Sequence, residues 1–181
     1  MKVNTKFKAA ITGIVLCFGL FSTPVFSQES TKLSDAEVAS VAVTANQIDI
    51  DYAEIAKQRS KNEDILKFAQ TMISDHKAVI AQAVALVTKL KVTPKDNAVS
   101  QKLLADAKKT KKMLLSKSGD AFNKAYIDNE VTYHKAVIAA VENLLIPETE
   151  NKEVKDLLQN VVPALKTHLE HAIMVQAKIS K

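Results

Sequence analysis

The chain has no tryptophan, three glycines, four prolines and a single cysteine among its 181 residues. One cysteine closes no intrachain disulfide, and this one lies at position 17, inside an N-terminal apolar run. Beyond that run the chain has no thiol. Zinc–thiolate sites, iron–sulfur clusters and thiol nucleophiles are therefore excluded there. Past residue 27 the only glycine is Gly119. Neither a phosphate-cradling loop nor a dinucleotide fingerprint can be built from one glycine. The prolines of that region are Pro94, Pro147 and Pro163. What is plentiful is Ala, Lys, Leu and Val at helical spacing, the composition of an all-α protein.

The first segment, "MKVNTKFKAAITGIVLCFGLFSTPVFS", is set aside before any fold argument. Lys2, Lys6 and Lys8 precede an apolar run from Ala9 to Phe21, and Val25-Phe26-Ser27 follows. A basic start, an apolar run of about thirteen residues and a small-x-small step read as a secretory signal peptide. A membrane span needs about twenty residues. Cys17 follows Leu16, which makes a poor lipid-acylation site. Cleavage near Ser27 is expected, with residues 28–181 forming one domain in the periplasm. Losing three signal lysines takes the formal charge from +5 to about +2, too little for a nucleic-acid footprint. No later apolar run is long enough for a transmembrane segment.

Punctuation divides the mature chain into helical segments. Helix A opens at Ser34, with Glu37 as capping-box partner, and ends near Ser60. Helix B runs from about Glu63 to Leu90 and is stopped by "KVTPKDN". A shorter helix C, from about Ala98 to Ser116, carries the run "AKKTKK" as a solvated face. Helix D runs from about Asp120 to Ile146, and helix E from about Lys152 to Ile179. Pro163 lies inside helix E and is expected to kink or reset it. The long helices are roughly 40 Å at 1.5 Å per residue. Short turns make A/B and D/E antiparallel hairpins. With C crossing between them, the expected fold is an all-α, ferritin-like four-helix bundle with a shorter crossover helix. Both tight turns are expected at the same end.

The apolar faces carry polar intruders. In "TMISDHKAVIAQAV", His76 sits one turn after Met72 and one before Ile80. His134 is flanked on helix D by Ile127, Val131, Ile138 and Val141. His168 lies near the edge of the arc of Val161, Leu165 and Ala172, whereas His171 falls off it and is expected to be exposed. Glu130 stands one turn before His134 in the same stripe, where a lone ionised carboxylate is costly. On helix A, Asp49 and Asp51 flank the stripe on opposite sides, and either could turn inward. Imidazoles and carboxylates converging inside a bundle are a metal-site pattern. His76 and His134 lie about 13 and 12 residues from their hairpin turns, within about 2 Å in depth. Asp51 and His168 come out roughly 6 Å higher and 5 Å deeper.

The stretches "LKFAQTMISDH", "GDAFNKAYIDNEVTYHKAV" and "VVPALKTHLEHA" together resemble the bacterial domain-of-unknown-function family 4142, exported ferritin-like proteins, over about Ser34 to Ala177. The resemblance implies Asp75, His76, His134 and His168 as recurring residues, with the helix A acidic position falling on Asp51. It speaks to the fold and carries no activity. A ferritin-type di-iron site needs Glu-x-x-His on two helices. Ile73 and Leu165 stand where two of those glutamates would be, so a bridged di-iron centre is not expected.

The candidate site is thus His76, His134, His168, Asp51 and Glu130, holding zinc, copper(II), nickel or iron(II). The alternative is a structural or stress-related envelope protein whose buried polar network binds no metal. An enzyme is the weaker reading, because no serine or threonine is framed by a base in a recognisable way.

Overall fold

A computed structural model describes residues 32–180. The expected signal peptide and its cleavage site lie outside the described residues. Helix α1 spans Asp35–Arg59, α2 Glu63–Lys89, α3 Ala98–Leu115, α4 Gly119–Ala140 and α5 Lys152–Ile179.

Short polar side chains start most of these helices. Ser34 and Glu37 form the expected capping box on α1. Ser34 N–H donates to Glu37 Oε2 at 3.0 Å. Those bonds, the backbone one foremost, hold the Glu37 carboxyl down at about 2. Asn62, Asn97 and Asn151 cap α2, α3 and α5 by accepting from the first free backbone N–H groups. Gly119 opens α4 with φ of 55°, a left-handed conformation that costs other residues about 1–2 kcal/mol.

Two elements depart from the sequence reading. Pro163 does not break α5, which runs unbroken from Lys152 to Ile179. The ring sits on an exposed face, where the bundle need not open to receive it. Helix α4 is less regular than expected. It widens into a π-helical turn, Val141–Leu145, before a last turn, Ile146–Glu148. The wide turn lies just ahead of Pro147, whose ring and missing N–H disfavour a regular pitch over the preceding residues.

Contacts between the helix ends fix the topology. At one end Ser60 bonds to Asn123, Arg59 to the Lys117 carbonyl and Lys178 to Asp64. At the other, Leu33 N–H donates to Glu148, Glu150 N–H to Asp35 and Lys95 N–H to the Ala36 carbonyl. The α1/α2 turn and the α4/α5 turn are therefore at opposite ends, not the same end. Helix α3 travels the length of the bundle, so α4 runs parallel to α2. The order is down, up, crossover, up, down, the ferritin-like arrangement with one long connection. Depth agreement between His76 and His134 survives this correction, because both lie near mid-helix and so are about equally far from either end.

The core has two apolar parts. Towards the α1/α2 turn it is aromatic: Phe68, Phe122 and Tyr126 are fully buried with Met72 and Ile127. Burying such side chains contributes about 1.5–3 kcal/mol each. Towards the α4/α5 turn it is aliphatic, built from Val38, Val41, Ile138, Val141, Leu145, Leu158 and Leu165. His171 is not exposed as expected. It is half-buried, edge-on to Phe68 with ring centroids 5.1 Å apart.

Candidate metal centre

A layer of buried polar side chains lies where the two apolar parts meet. His76 comes from α2, His134 and Glu130 from α4, His168 from α5 and Asp49 from α1. All are at most 5% exposed. The three imidazole rings form a near-equilateral triangle, with centroids 5.9 Å apart for His76–His134, 5.3 Å for His76–His168 and 5.6 Å for His134–His168. Helix geometry delivers this: each ring sits near the middle of its own rod, and all point to the bundle axis.

Each ring is pinned through one nitrogen. His76 Nδ1–H donates to Asn46 Oδ1 at 2.7 Å, and the Asn46 amide is itself oriented by donating to the Ala42 carbonyl. His134 Nδ1–H donates to the Glu130 carbonyl at 3.0 Å. His168 Nε2–H donates to Asp75 Oδ2 at 2.9 Å. All three partners are acceptors, so the tautomers follow: the lone pairs lie on His76 Nε2, His134 Nε2 and His168 Nδ1. Among the described residues, none of these three nitrogens has a hydrogen-bond partner. Outer-shell bonds that fix tautomer and ring orientation are what metal-ligating histidines use.

The carboxylate on α1 is Asp49, not Asp51. Asp51 is half-exposed and pairs with Lys111 at 2.8 Å and Gln47 at 2.9 Å. Asp49 Oδ2 lies 3.3 Å from His76 Nε2 and 3.5 Å from His134 Nε2. That is ion-pair range, but the alignment is too poor for a hydrogen bond, and both Asp49 oxygens are left unpartnered. Glu130 lies behind this contact, 0% exposed, with neither carboxylate oxygen hydrogen-bonded. The physical reason for the exchange of aspartates is that α1 is covered on more than one side. Ile48, Asp49 and Ile50 are all buried in succession, so one apolar stripe does not define its inner face. Asn46 was also missed. A half-buried asparagine mid-helix leaves no periodic signal.

Two groups of candidate ligand atoms share His134. They are His76–His134–His168 and Asp49–Glu130–His134, each with its atoms within 4.8 Å of one another. Burial disfavours charge on all of them. It pushes His76 down to about 3, with His134 and His168 adding to the effect. It pushes His134 down to about 4, against the opposing pull of the Glu130 carbonyl. It raises the Asp49 carboxyl, and raises that of Glu130 well above the carboxylate range, the Asp49 charge adding to the latter. Without a cation, burial favours the neutral form of both the imidazoles and the carboxyls. Its three unpartnered imidazole nitrogens are electron-pair donors.

Against known proteins, no curated protein matches the chain in sequence. Among solved structures it is similar to one described as "CopM in the Cu(II)-bound form", with a TM-score of 0.61 and 16% identity. The match covers 81% of this chain and 98% of that one. At that identity the likeness shows the fold, an all-α bundle. The family described as "Domain of unknown function (DUF4142)" matches residues 21–175, and the chain belongs to it.

Proposed function

We propose that this protein is an exported bundle that binds one divalent transition-metal ion at the layer between its two apolar cores. His76 Nε2, His134 Nε2, His168 Nδ1 and Asp49 would be the ligands, and Glu130 would lie behind Asp49. The observation that carries this reading is the set of three oriented imidazole lone pairs, buried together without partners. Buried polar atoms are nearly always satisfied, so three unpaired together favour a ligand shared between them.

Charge supports a divalent ion over a monovalent one. Three neutral imidazoles and two ionised carboxylates sum to minus two, which one divalent ion cancels inside a low-dielectric layer. A second ion would leave the layer strongly positive. Three nitrogens with one carboxylate oxygen suit zinc, copper(II), nickel and iron(II). The similar fold solved with Cu(II) bound directs the first test to copper(II) and zinc. Three imidazoles and a carboxylate closing on one ion make a holding site, so the role is binding: buffering or storing the ion. Export rests on the N-terminal basic and apolar run.

The test is elemental analysis of the mature chain, purified without a histidine tag, followed by titration with copper(II), zinc and nickel. The expected result is about one ion per chain, lost in the His76→Ala, His134→Ala double variant. A wild-type protein that purifies without metal, and whose melting temperature is unmoved by all three ions, would overturn the reading.

A further inference from the structure

The aliphatic half of the bundle is not filled. A cavity of about 600 Å³ lies between the two hairpins, walled by small and branched side chains such as Val41, Ala45, Ala83, Val141, Leu158 and Leu165. Asp49, His76, His134 and His168 form its polar end. An engineered apolar cavity of about 150 Å³ holds one benzene, so this one has room for roughly four times as much. The contrast with the other half is one of side-chain size. Phe68, Phe122 and Tyr126 are fully buried in that core, whereas valine and alanine leave this one open. Exposed residues on three helices, among them Gln82, Ala136 and Ala164, also line it, so the chamber reaches solvent. An apolar cleft of this size with a few convergent polar groups at one end has the form of a small-molecule site.

We propose that this chamber binds a neutral apolar molecule bearing a single hydroxyl group, a medium-chain alcohol or an alkyl phenol, with the hydroxyl at the histidine layer. The length fits: eleven residues separate His134 from Leu145, about 16 Å along the helix. The polar end selects the head group. Its unpartnered atoms include three acceptors, His76 Nε2, His134 Nε2 and His168 Nδ1, and one donor, Asn129 Nδ2, so the complementary group is a hydroxyl, which both donates and accepts. A fatty carboxylate would bring a further charge into a buried layer that already holds Asp49 and Glu130. A hydrocarbon would leave every lone pair unmet. With an ion in the layer, a hydroxyl oxygen still suits, because it brings a lone pair and adds no charge to a balanced site. The chamber and the ion site share residues but not their requirements, since the apolar walls act without metal.

The experiment uses the mature chain, stripped of metal, with decan-1-ol, decanoate and decane as probes in calorimetry and thermal melts. Decan-1-ol is expected to bind near one per chain, with a negative heat-capacity change from apolar burial and at least tenfold more tightly than decanoate or decane. Ala83→Leu and Val161→Phe, each narrowing the chamber away from the histidines, are expected to weaken decan-1-ol at least tenfold while copper(II) or zinc stoichiometry stays that of wild type. No binding of decan-1-ol to wild type overturns the proposal. So does equal binding of all three probes, or binding that neither narrowing variant alters. Alcohol binding without metal binding would sink the ion reading and leave the chamber standing; metal binding without alcohol binding would do the reverse.

Discussion

Replacing Asp49 by asparagine should stabilise the metal-free protein and weaken its metal binding. The side chain keeps its shape, so packing changes little. Asp49 is 1% exposed, and neither oxygen has an aligned donor. Ionising it in the metal-free bundle leaves a buried charge beside a second buried carboxyl, Glu130, and keeping it protonated above its ordinary range is also unfavourable. The asparagine amide is neutral, and its N–H groups can donate towards His76 Nε2 and His134 Nε2, the atoms now 3.3 and 3.5 Å from Oδ2. A gain of about 1–3 kcal/mol follows at pH 8 from one hydrogen bond and the relief of a desolvated carboxyl. In a domain of this size that is roughly 2–12 °C in Tm. The sign of the pH dependence is fixed. Burial raises the Asp49 carboxyl above its unfolded value of 3.8, so its contribution is intact below that pH and is lost as pH rises through the folded value. The variant's advantage should therefore vanish near pH 4 and grow towards pH 8. Metal offsets that advantage by about 2.3 kcal/mol. An ion at 100 times its Kd stabilises by about 2.7 kcal/mol, and a hundredfold weaker site keeps only about 0.4 kcal/mol. Thermal melts of both proteins at several pH values, with and without copper(II) or zinc, test this. An Asp49→Asn protein that is less stable without metal at pH 8, and as strongly stabilised by metal as wild type, would refute the charge argument.

Other substitutions separate ligands from bystanders. Asp75→Ala frees the His168 ring and should weaken metal binding about 10–100-fold, as outer-shell losses do. Its cost in a metal-free melt should be under about 1 kcal/mol, because the aspartate is half-exposed. Asp51→Ala should leave metal stoichiometry and affinity as in wild type, measured by competition titration. It loses a surface pair with Lys111, worth about 0–1 kcal/mol, and an exposed hydrogen bond from Gln47. Pro163→Ala should raise the stability by about 1–3 kcal/mol in urea melts, since it restores a backbone donor inside α5 without touching the core.

The helices were legible because their ends are written in side chains. Ser34 with Glu37, "KVTPKDN" before Ala98, and Gly119 each mark a boundary within a residue or so of where the chain turns. The π-helical turn at Val141–Leu145 was not legible, since Pro147 signals a disturbance but not its form. The histidines could be found because an imidazole is conspicuous in an apolar stripe. Asp49 stayed ambiguous because its neighbours on the ladder are Ala45, Ala53 and Ala56, and alanine marks a buried face poorly. The placing of the turns failed for another reason. A crossover that is itself a helix fixes which way the next hairpin runs, and only the end contacts, such as Ser60 with Asn123, reveal that direction.

The head-to-tail order of the two hairpins has a consequence for how the centre comes apart. Fraying begins at termini and turns, and the turns lie at both ends of the rods. His76 and His134 sit close to the midpoints, reached last by peeling from either side. Amides flanking these residues should then exchange their protons only through the largest opening the molecule makes. Trimming a turn by protease should leave the layer assembled, and only parting one hairpin from the other should scatter it.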